Sequence, residues 1–297
     1  MPYTVVRHSD VFSFAGRATD WLMQAEVEHN LLLSIIEQLK ANPQNYGVHY
    51  LATVEQNDAV IGCAFRTPPY KLGLTQLPAD AIPLLVSDVS RVFAELPAVL
   101  GSEPSVRTFA EAWSAVRGVQ AHEGMHHRIY QATEVVFPAE MPPGEMRLAG
   151  KRDLPMVVSW LQEFGREAKV GTVNTAAFVE NHINNKTMFL WEDAGEPRTS
   201  VVYAGKTPHG VRIGFVYTPP QFRGRGYASA CVATASRRAL DNGMRFCCLY
   251  TDLSNPTSNG IYQRIGYRPV CDVVDYDFDA QVVQRLDGGD AETTARP

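Results

Sequence analysis

Between Val211 and Leu240 the chain reads VRIGFVYTPPQFRGRGYASACVATASRRAL. The apolar run ending at Thr218 is read as a strand and the small-residue run after Gly226 as a helix. The loop between them carries Gln221, Arg223, Gly224, Arg225 and Gly226. A helix start offers N–H groups without intrahelical partners and the positive end of the helix dipole, so an anion is stabilised there. Glycine at 224 and 226 lets the backbone approach phosphate oxygens with no Cβ in the way. The segment alone therefore points to a phosphate-bearing ligand, with a glycine-rich β–α turn that binds nothing as the plain alternative. Two familiar phosphate turns do not fit. In GRGYAS, Ser229 stands where the dinucleotide fingerprint needs its third glycine, and the five residues PPQFR separate strand from glycine. No Lys-Ser/Thr pair follows the glycines, so the Walker pattern fails as well.

Other chemistry-bearing clusters read as structural. His122-Glu123-Gly124-Met125-His126 spells the zinc-hydrolase HExxH, but that mechanism needs both histidines on one helix face and a third ligand. Gly118 and Gly124 weaken a helix there, and HRIYQATEVV reads as a strand, so no metal is expected. Cys247-Cys248 lie in an apolar run with no neighbouring histidine and are expected in the core. Trp160, Phe164, Phe178 and Trp191 either line a pocket or fill a core, and scattered aromatics favour the core.

The elements that must carry the turn follow from period and punctuation. FPAEMPPGEM (137–146) reads as a linker, because its prolines remove donors and its glycine loosens the chain. After it, Asp153 before Leu154-Pro155 is read as an N-cap opening a helix to about Ala168, and a second helix runs from 174 to 184. Three apolar runs (187–193, 198–207, 211–218) joined by tight turns predict an antiparallel meander. A helix from 226 to 241 ends at Asn242-Gly243, a left-handed C-cap. A strand (246–252), a helix (255–265) and a final strand (269–278) follow. The first half has the same order: helices over 10–23 and 25–41, a hairpin across Asn57-Asp58, a helix near 80–94, a strand near 97–100, a helix near 105–116 and a strand over 127–136. TPPYKLG begins at Thr67 and TPPQFRG at Thr218, 151 residues apart, and Pro104 stands 152 before Pro256. Shared element order predicts a duplicated unit. In that alignment Gly73 faces Gly224, Thr75 faces Gly226 and Ala110 faces Tyr262.

Gln221, Gly224, Gly226 and Ala228 form Q-x-x-G-x-G-x-A, which resembles the acyl-CoA-binding signature of the GNAT superfamily of N-acyltransferases. Asn255, Ser258 and Tyr262, followed by Ile265-Gly266-Tyr267, are similar to that family's N-x-x-S-x-x-x-Y and closing G-F/G-Y. The resemblance covers about 146–280 well and the first half only as a degenerate copy. It implies a mixed α+β fold of two GNAT-like domains, each a central, mostly antiparallel sheet flanked by helices. The expected division is 1–137 for a degenerate GNAT-like domain, 138–145 for the linker, 146–285 for the acetyltransferase domain and 286–297 for a flexible tail. It also implies acetyl-CoA as cofactor, with the strand Phe215-Val216-Tyr217-Thr218 splayed from its neighbour to bond the pantetheine arm. The N–H groups of Arg223 through Ala228, with Tyr227 and Ser229 at the helix start, would cradle the pyrophosphate while Arg223 and Arg225 add charge. Tyr262 is the candidate acid for the departing thiolate, since a phenol of pKa near ~10 can donate to it. Asn255 and Ser258 order the loop and cofactor arm. The base is left open among Glu163, Glu167, Glu192, Asp252, His209 and a water chain. The first-half turn has lost its phosphate ligands, so acetyl-CoA is expected at one site per chain. The reading is acetyl transfer to a primary amine of a small molecule in a ternary complex. The alternative is a non-catalytic acyl-CoA-binding or sensing protein.

Composition sets the outer bounds. The chain has 297 residues, 45% of them hydrophobic and 20% charged, with a formal charge of −5. That excludes wholesale disorder and argues against a general nucleic-acid or membrane-surface binder. No apolar run approaches the ~20 residues of a membrane span, and MPYTVVRHSD carries no charged region followed by an apolar stretch. Five cysteines in no paired pattern suit a reducing cytoplasm. The expected state is a monomer or homodimer.

Overall fold

The computed structural model describes residues 2–42, 48–168 and 174–279; the tail expected at 286–297 lies outside them. Within the first half run β1 (Tyr3–Arg7), α1 (Val11–Leu22), α2 (Asn30–Ala41), β2 (Tyr50–Gln56), β3 (Ala59–Arg66), β4 (Leu72–Leu74), α3 (Ile82–Val92), β5 (Ala98–Gly101), α4 (Glu103–Arg117) and β6 (Ala121–Ala132). The second half holds β7 (Glu145–Leu148), α5 (Leu154–Glu167), α6 (Thr175–Asn184), β8 (Met188–Asp193), β9 (Glu196–Lys206), β10 (Gly210–Tyr217), α7 (Tyr227–Asp241), β11 (Phe246–Asp252), α8 (Pro256–Arg264) and β12 (Arg268–Phe278).

Local chemistry explains most boundaries. Asp10 opens α1 by accepting the N–H groups of Phe12 and Ser13 at 2.9 Å each. Asn57 and Asp58 both have positive φ (53° and 58°), which two-residue hairpin turns require. Gly118 (φ 68°) closes α4 and Gly243 (φ 90°) follows α7, both in the left-handed region. Asp153 differs from expectation. It sits in a 3-10 turn (Lys151–Asp153), and its carboxylate accepts from Gly150 N at 2.7 Å and pairs with Arg147 instead of capping α5. Three short strands, β1, β4 and β7, were not expected from the sequence.

All twelve strands form one sheet in the order β1-β2-β3-β4-β5-β12-β6-β11-β10-β9-β8-β7. The two halves exchange their last strands. β12 pairs antiparallel with β5, and β6 pairs antiparallel with β11. Each strand therefore completes the other half's core. Val274, Tyr276 and Phe278 are buried among α3, α4 and the β2 residues Tyr50, Ala52 and Val54, while Tyr130 and Ala132 are buried beneath α7 and α8. In each half the first helix pair covers one face and the second pair the other: Leu51 packs on α1 and α2, whereas its neighbours Tyr50 and Ala52 pack on α3 and α4. Polar ties also cross between halves. Arg212 on β10 donates to Asn30 Oδ1 (2.9 Å) on α2, and His209 Nδ1 meets Glu26 at 2.8 Å.

The repeated strings fare differently. Pro104 and Pro256 both occupy the first turn of a helix, α4 and α8. TPP does not match: Thr67 to Pro69 lie between β3 and β4, whereas Thr218 to Pro220 follow β10. Gly73 is therefore a strand residue, where a Cβ would meet the Phe65 ring at 2.2 Å. The true counterpart of the glycine turn is residues 75–81, between β4 and α3. The HExxH stretch lies on β6, which begins earlier than predicted because Gly124 fits a bulge where a Cβ would approach Asp277 at 2.9 Å. His122 is bonded to Asp279 and His126 to Glu123.

Candidate functional site

β10 and β11 run parallel and pair only from Gly210↔Phe246 to Ile213↔Leu249. β10 continues to Tyr217 and β11 to Asp252, so their ends separate into a cleft. The cause is a bulge between Gly214 and Tyr217 in the ladder with β9, where Phe215 takes φ 44°. A bulky residue with positive φ is a strained one, by roughly 1–3 kcal/mol, and persists only where packing fixes it. Here the Phe215 ring is held edge-on against Phe164 of α5 at 5.6 Å. The other edge of β10 is tied down: Thr199 Oγ1 donates to Tyr217 O, and Thr218 Oγ1 donates to Thr199, both at 2.8 Å. Residues 214–217 thus keep their β9 side fixed and their β11 side open.

The turn after β10 continues the cleft. Pro220–Phe222 form a 3-10 turn, Gly224 and Gly226 have φ 75° and 81°, and Gly226 caps α7 with no side-chain hydrogen bond. Among the described residues, no protein acceptor takes the N–H groups of residues 224 through 229. Of the expected donors, Arg223 N is used by Pro220 O at 3.3 Å, while Ser229 N, next after the expected set, has no acceptor among the described residues. A Cβ built on Gly224 would meet nothing within 4 Å, and one on Gly226 would meet Pro142 Cδ at 3.8 Å, so the turn is open at its first glycine. Six unpartnered N–H groups, three in the turn and three in the first turn of a 15-residue helix, suit a multiply charged anion.

The arginines divide their roles. Arg223 is committed to scaffolding: it donates to Thr218 O at 2.8 Å, grips Glu167 at 2.7 and 2.9 Å and lies over the Tyr217 ring. Arg225 stands exposed on the turn. Gln221 is exposed beside the 3-10 turn, and Ala228 and Ser229 are half-buried in the first turn of α7. Tyr227 points inward, and its hydroxyl donates to Asp193 Oδ2 at 2.6 Å, which raises its pKa. Only its backbone faces the cleft. Arg198 stacks on Phe222 at 4.4 Å and so braces the turn from beneath.

Across the cleft stands α8. Asn255 accepts Ser258 N at 3.1 Å and caps the helix, so these two residues set its start. Tyr262, one turn further on, is buried in the cluster that contains Val216, Leu249 and Tyr267. Burial pushes its phenol up to about 12, and among the described residues its hydroxyl has no hydrogen-bond partner. Asn259, unmarked by any local motif, pins α8 by donating to Asp252 O (2.9 Å) and accepting from Tyr130 on β6. Its partners are distant in sequence, so no local spacing reveals it. Thr199 is missed for the same reason.

Among the carboxylates and imidazole considered as bases, most are engaged. Glu192 binds Arg147 at 2.6 Å, Glu167 binds Arg223, and Asp252 Oδ1 accepts Ser254 N at 2.8 Å. His209 precedes β10, at the end opposite the glycine turn. Glu163 is different: it accepts the Tyr217 hydroxyl at 2.7 Å and lines an open cavity of about 460 Å³ with Met156, Trp160, Tyr217 and Gln221. The loop between α5 and α6, expected to help choose the substrate, lies largely outside the described residues.

The first half lacks these features. All three residues of β4 pair with β5, from Leu72↔Val99 to Leu74↔Gly101, leaving no cleft. In residues 75–81, Thr75 N donates to Cys63 O and Leu77 N to Ser105 Oγ, so donors that face open space in the second half are consumed here. Ala110 is buried opposite Tyr262's position. Among the described residues no group of three or more His, Cys, Asp or Glu side chains is arranged to hold a metal, and no helix is long and apolar enough to cross a membrane.

Residues 154–267 match the family model described as Acetyltransferase (GNAT) family. No curated protein matches the chain in sequence. Similar folds occur in a Sphaerobacter thermophilus GCN5-related N-acetyltransferase (15% identity, 92% of this chain and 94% of that one, TM-score 0.60) and a Colwellia psychrerythraea GNAT acetyltransferase (15%, 94% and 100%, 0.56). A tandem GNAT protein of clavulanic acid biosynthesis is also similar (11%, 93% and 98%, 0.55). These likenesses extend over both halves, so two GNAT-like units in one chain account for the twelve-stranded sheet.

Proposed function

We propose that the chain, whose residues 154–267 match the GNAT acetyltransferase family model, transfers an acetyl group from acetyl-CoA to a primary amine of a small molecule. The observation that carries this reading is the juxtaposition of an open β10–β11 cleft, six unpartnered N–H groups at residues 224–229 and the unpartnered Tyr262 hydroxyl. These residues fit the cofactor. The N–H groups of 224–229 and the exposed Arg225 hold its pyrophosphate, while Val216, Tyr217 and Thr218 present backbone to its pantetheine arm. Acetyl-CoA supplies the activated acyl carbon as a thioester. A backbone N–H near Val216 is the oxyanion donor for the carbonyl.

Tyr262 assists departure of the sulfur. A phenol near 12 remains protonated at neutral pH, so it meets the sulfur as a donor. Against a thiol pKa of ~8.5 the full proton transfer is uphill by roughly 3 to 4 units, or about 5 kcal/mol. Tyr262 therefore stabilises the developing thiolate through a hydrogen bond rather than by surrendering its proton outright. Asn255 and Ser258 set the helix that carries it, and Gln221 and Arg223 shape the turn. The first-half unit binds no cofactor and supplies β6, which closes the sheet beside β11. The five thiols, four of them buried, support a reducing, cytoplasmic setting.

The test is release of free thiol from acetyl-CoA by the full chain with a panel of polyamines, amino acids, aminoglycosides and simple alkylamines. Release that depends on one amine class supports transfer. Tight acetyl-CoA binding with no release for any amine supports the non-catalytic binding protein instead.

A further inference from the structure

We propose that the cavity beside α5 is a binding site for a primary ammonium group carrying a short apolar segment, with Glu163 as its counter-ion; that the same group, once it has lost a proton to solvent and become the free amine, is the acyl acceptor rests on the acyl-transfer reading above. The cavity is about 460 Å³, within the usual range for small-molecule sites, roughly 300–1,000 Å³. It opens where β10 ends, so its wall residue Tyr217 adjoins Val216 in the cleft. Its apolar walls are Met156, Trp160 and Tyr217, and aromatic faces beside a carboxylate favour a cationic head over a neutral one. The two carboxylates on this helix face are not equivalent. Glu167 is neutralised by the two-pronged Arg223 contact, with one prong at 2.7 Å and the other at 2.9 Å. Glu163 has no ion-pair partner among the described residues: its hydrogen-bond contact is the Tyr217 hydroxyl, which orients the carboxylate, and Arg166, exposed on the same helix, also lines the cavity without pairing with it. Of the acidic side chains considered as bases, Glu163 alone is both at the cleft and free of a cation or an Asx turn. Nothing in the local sequence marks it, because Glu163 and Glu167 are both ordinary positions on an amphipathic helix.

The experiment compares phenethylamine with its uncharged counterpart 2-phenylethanol by titration calorimetry on the full chain at pH 7. Wild type is expected to bind the amine at least tenfold more tightly than the alcohol. Glu163→Gln keeps an oxygen for Tyr217 and removes the charge, and should reduce that ratio to within twofold. Glu163→Asp should retain a preference for the amine, and Glu111→Gln, an exposed change on α4, should leave the ratio intact. Equal binding of amine and alcohol by wild type, or an unchanged ratio in Glu163→Gln protein of wild-type melting temperature, overturns the proposal. The two readings fail separately. Charge-selective binding without thiol release for any amine sinks acyl transfer and leaves the site standing. Thiol release whose amine KM is unmoved by Glu163→Gln sinks the site and leaves acyl transfer standing.

Discussion

Replacing Tyr262 by phenylalanine removes a hydroxyl that has no hydrogen-bond partner among the described residues. The ring packs against Tyr267 with centroids 6.0 Å apart, and that contact survives the change. Since the hydroxyl has no partner among the described residues, its loss breaks no hydrogen bond there, and the melting temperature should move by less than about 2 °C. The kinetic effect is different. A hydrogen bond to a charged acceptor contributes about 1.5–3 kcal/mol, and each 1.36 kcal/mol is tenfold in rate, so turnover should fall roughly 10- to 150-fold. The donor acts on sulfur only as charge develops, so acetyl-CoA affinity should change less than about twofold. The pH profile adds a second check. A phenol raised to about 12 by burial stays protonated as pH rises, so the wild-type rate should show no falling limb from Tyr262 up to about pH 10. The assay is thiol release at saturating acetyl-CoA, paired with calorimetry. A turnover within twofold of wild type would refute the reasoning, as would a rate loss matched by an equal loss of acetyl-CoA affinity.

Other consequences follow from the same geometry. Gly224→Val puts a β-branched residue at φ 75°, a conformation it strongly disfavours, so the turn that presents the open donors must rearrange, and acetyl-CoA affinity by calorimetry should drop at least tenfold while the protein remains folded. Burial alone would raise the pKa of Asp275, but hydrogen bonds from His127 and Lys71 outweigh it and hold the carboxyl below its usual value. Its stabilising effect is therefore present above the unfolded pKa near ~4 and is lost as pH falls through the folded value. Asp275→Asn should lower stability at pH 7 and flatten the acid limb below about pH 4 in denaturant titrations. A fragment of residues 1–137 lacks Val274, Tyr276 and Phe278 of β12 from its core. At about 1.5–3 kcal/mol for each buried side chain this is a large share of a domain's stability, and circular dichroism of the fragment should show no cooperative melt.

The site was more legible in the sequence than the sheet that holds it. Glycines at 224 and 226, and Asn255, Ser258 and Tyr262 at their spacing, act through local backbone geometry: a left-handed turn, an uncapped helix start, a helix cap. Such features are written within a few residues. The strand exchange is not, because β12 and β6 are ordinary strands whose partners lie far along the chain, and nothing in RPVCDVVDYDF names β5 as a neighbour. Element order carried the duplication correctly, whereas the TPP strings misled, since proline turns recur at unrelated connections. Asp153 looked like a cap by type and position, but Arg147, brought in by the unexpected strand β7, drew its carboxylate away. Glu163 was one of several equal candidates until the fold supplied cations to some of its rivals and distance to another.

The proposed function places one cofactor site in each chain, at residues 224–229, and none at the first-half turn. Titration of acetyl-CoA into the full-length protein measures this directly. The expected stoichiometry is one per chain, with binding lost in Gly224→Val. Two equivalent sites per chain, or a single site that survives Gly224→Val unchanged, would contradict it.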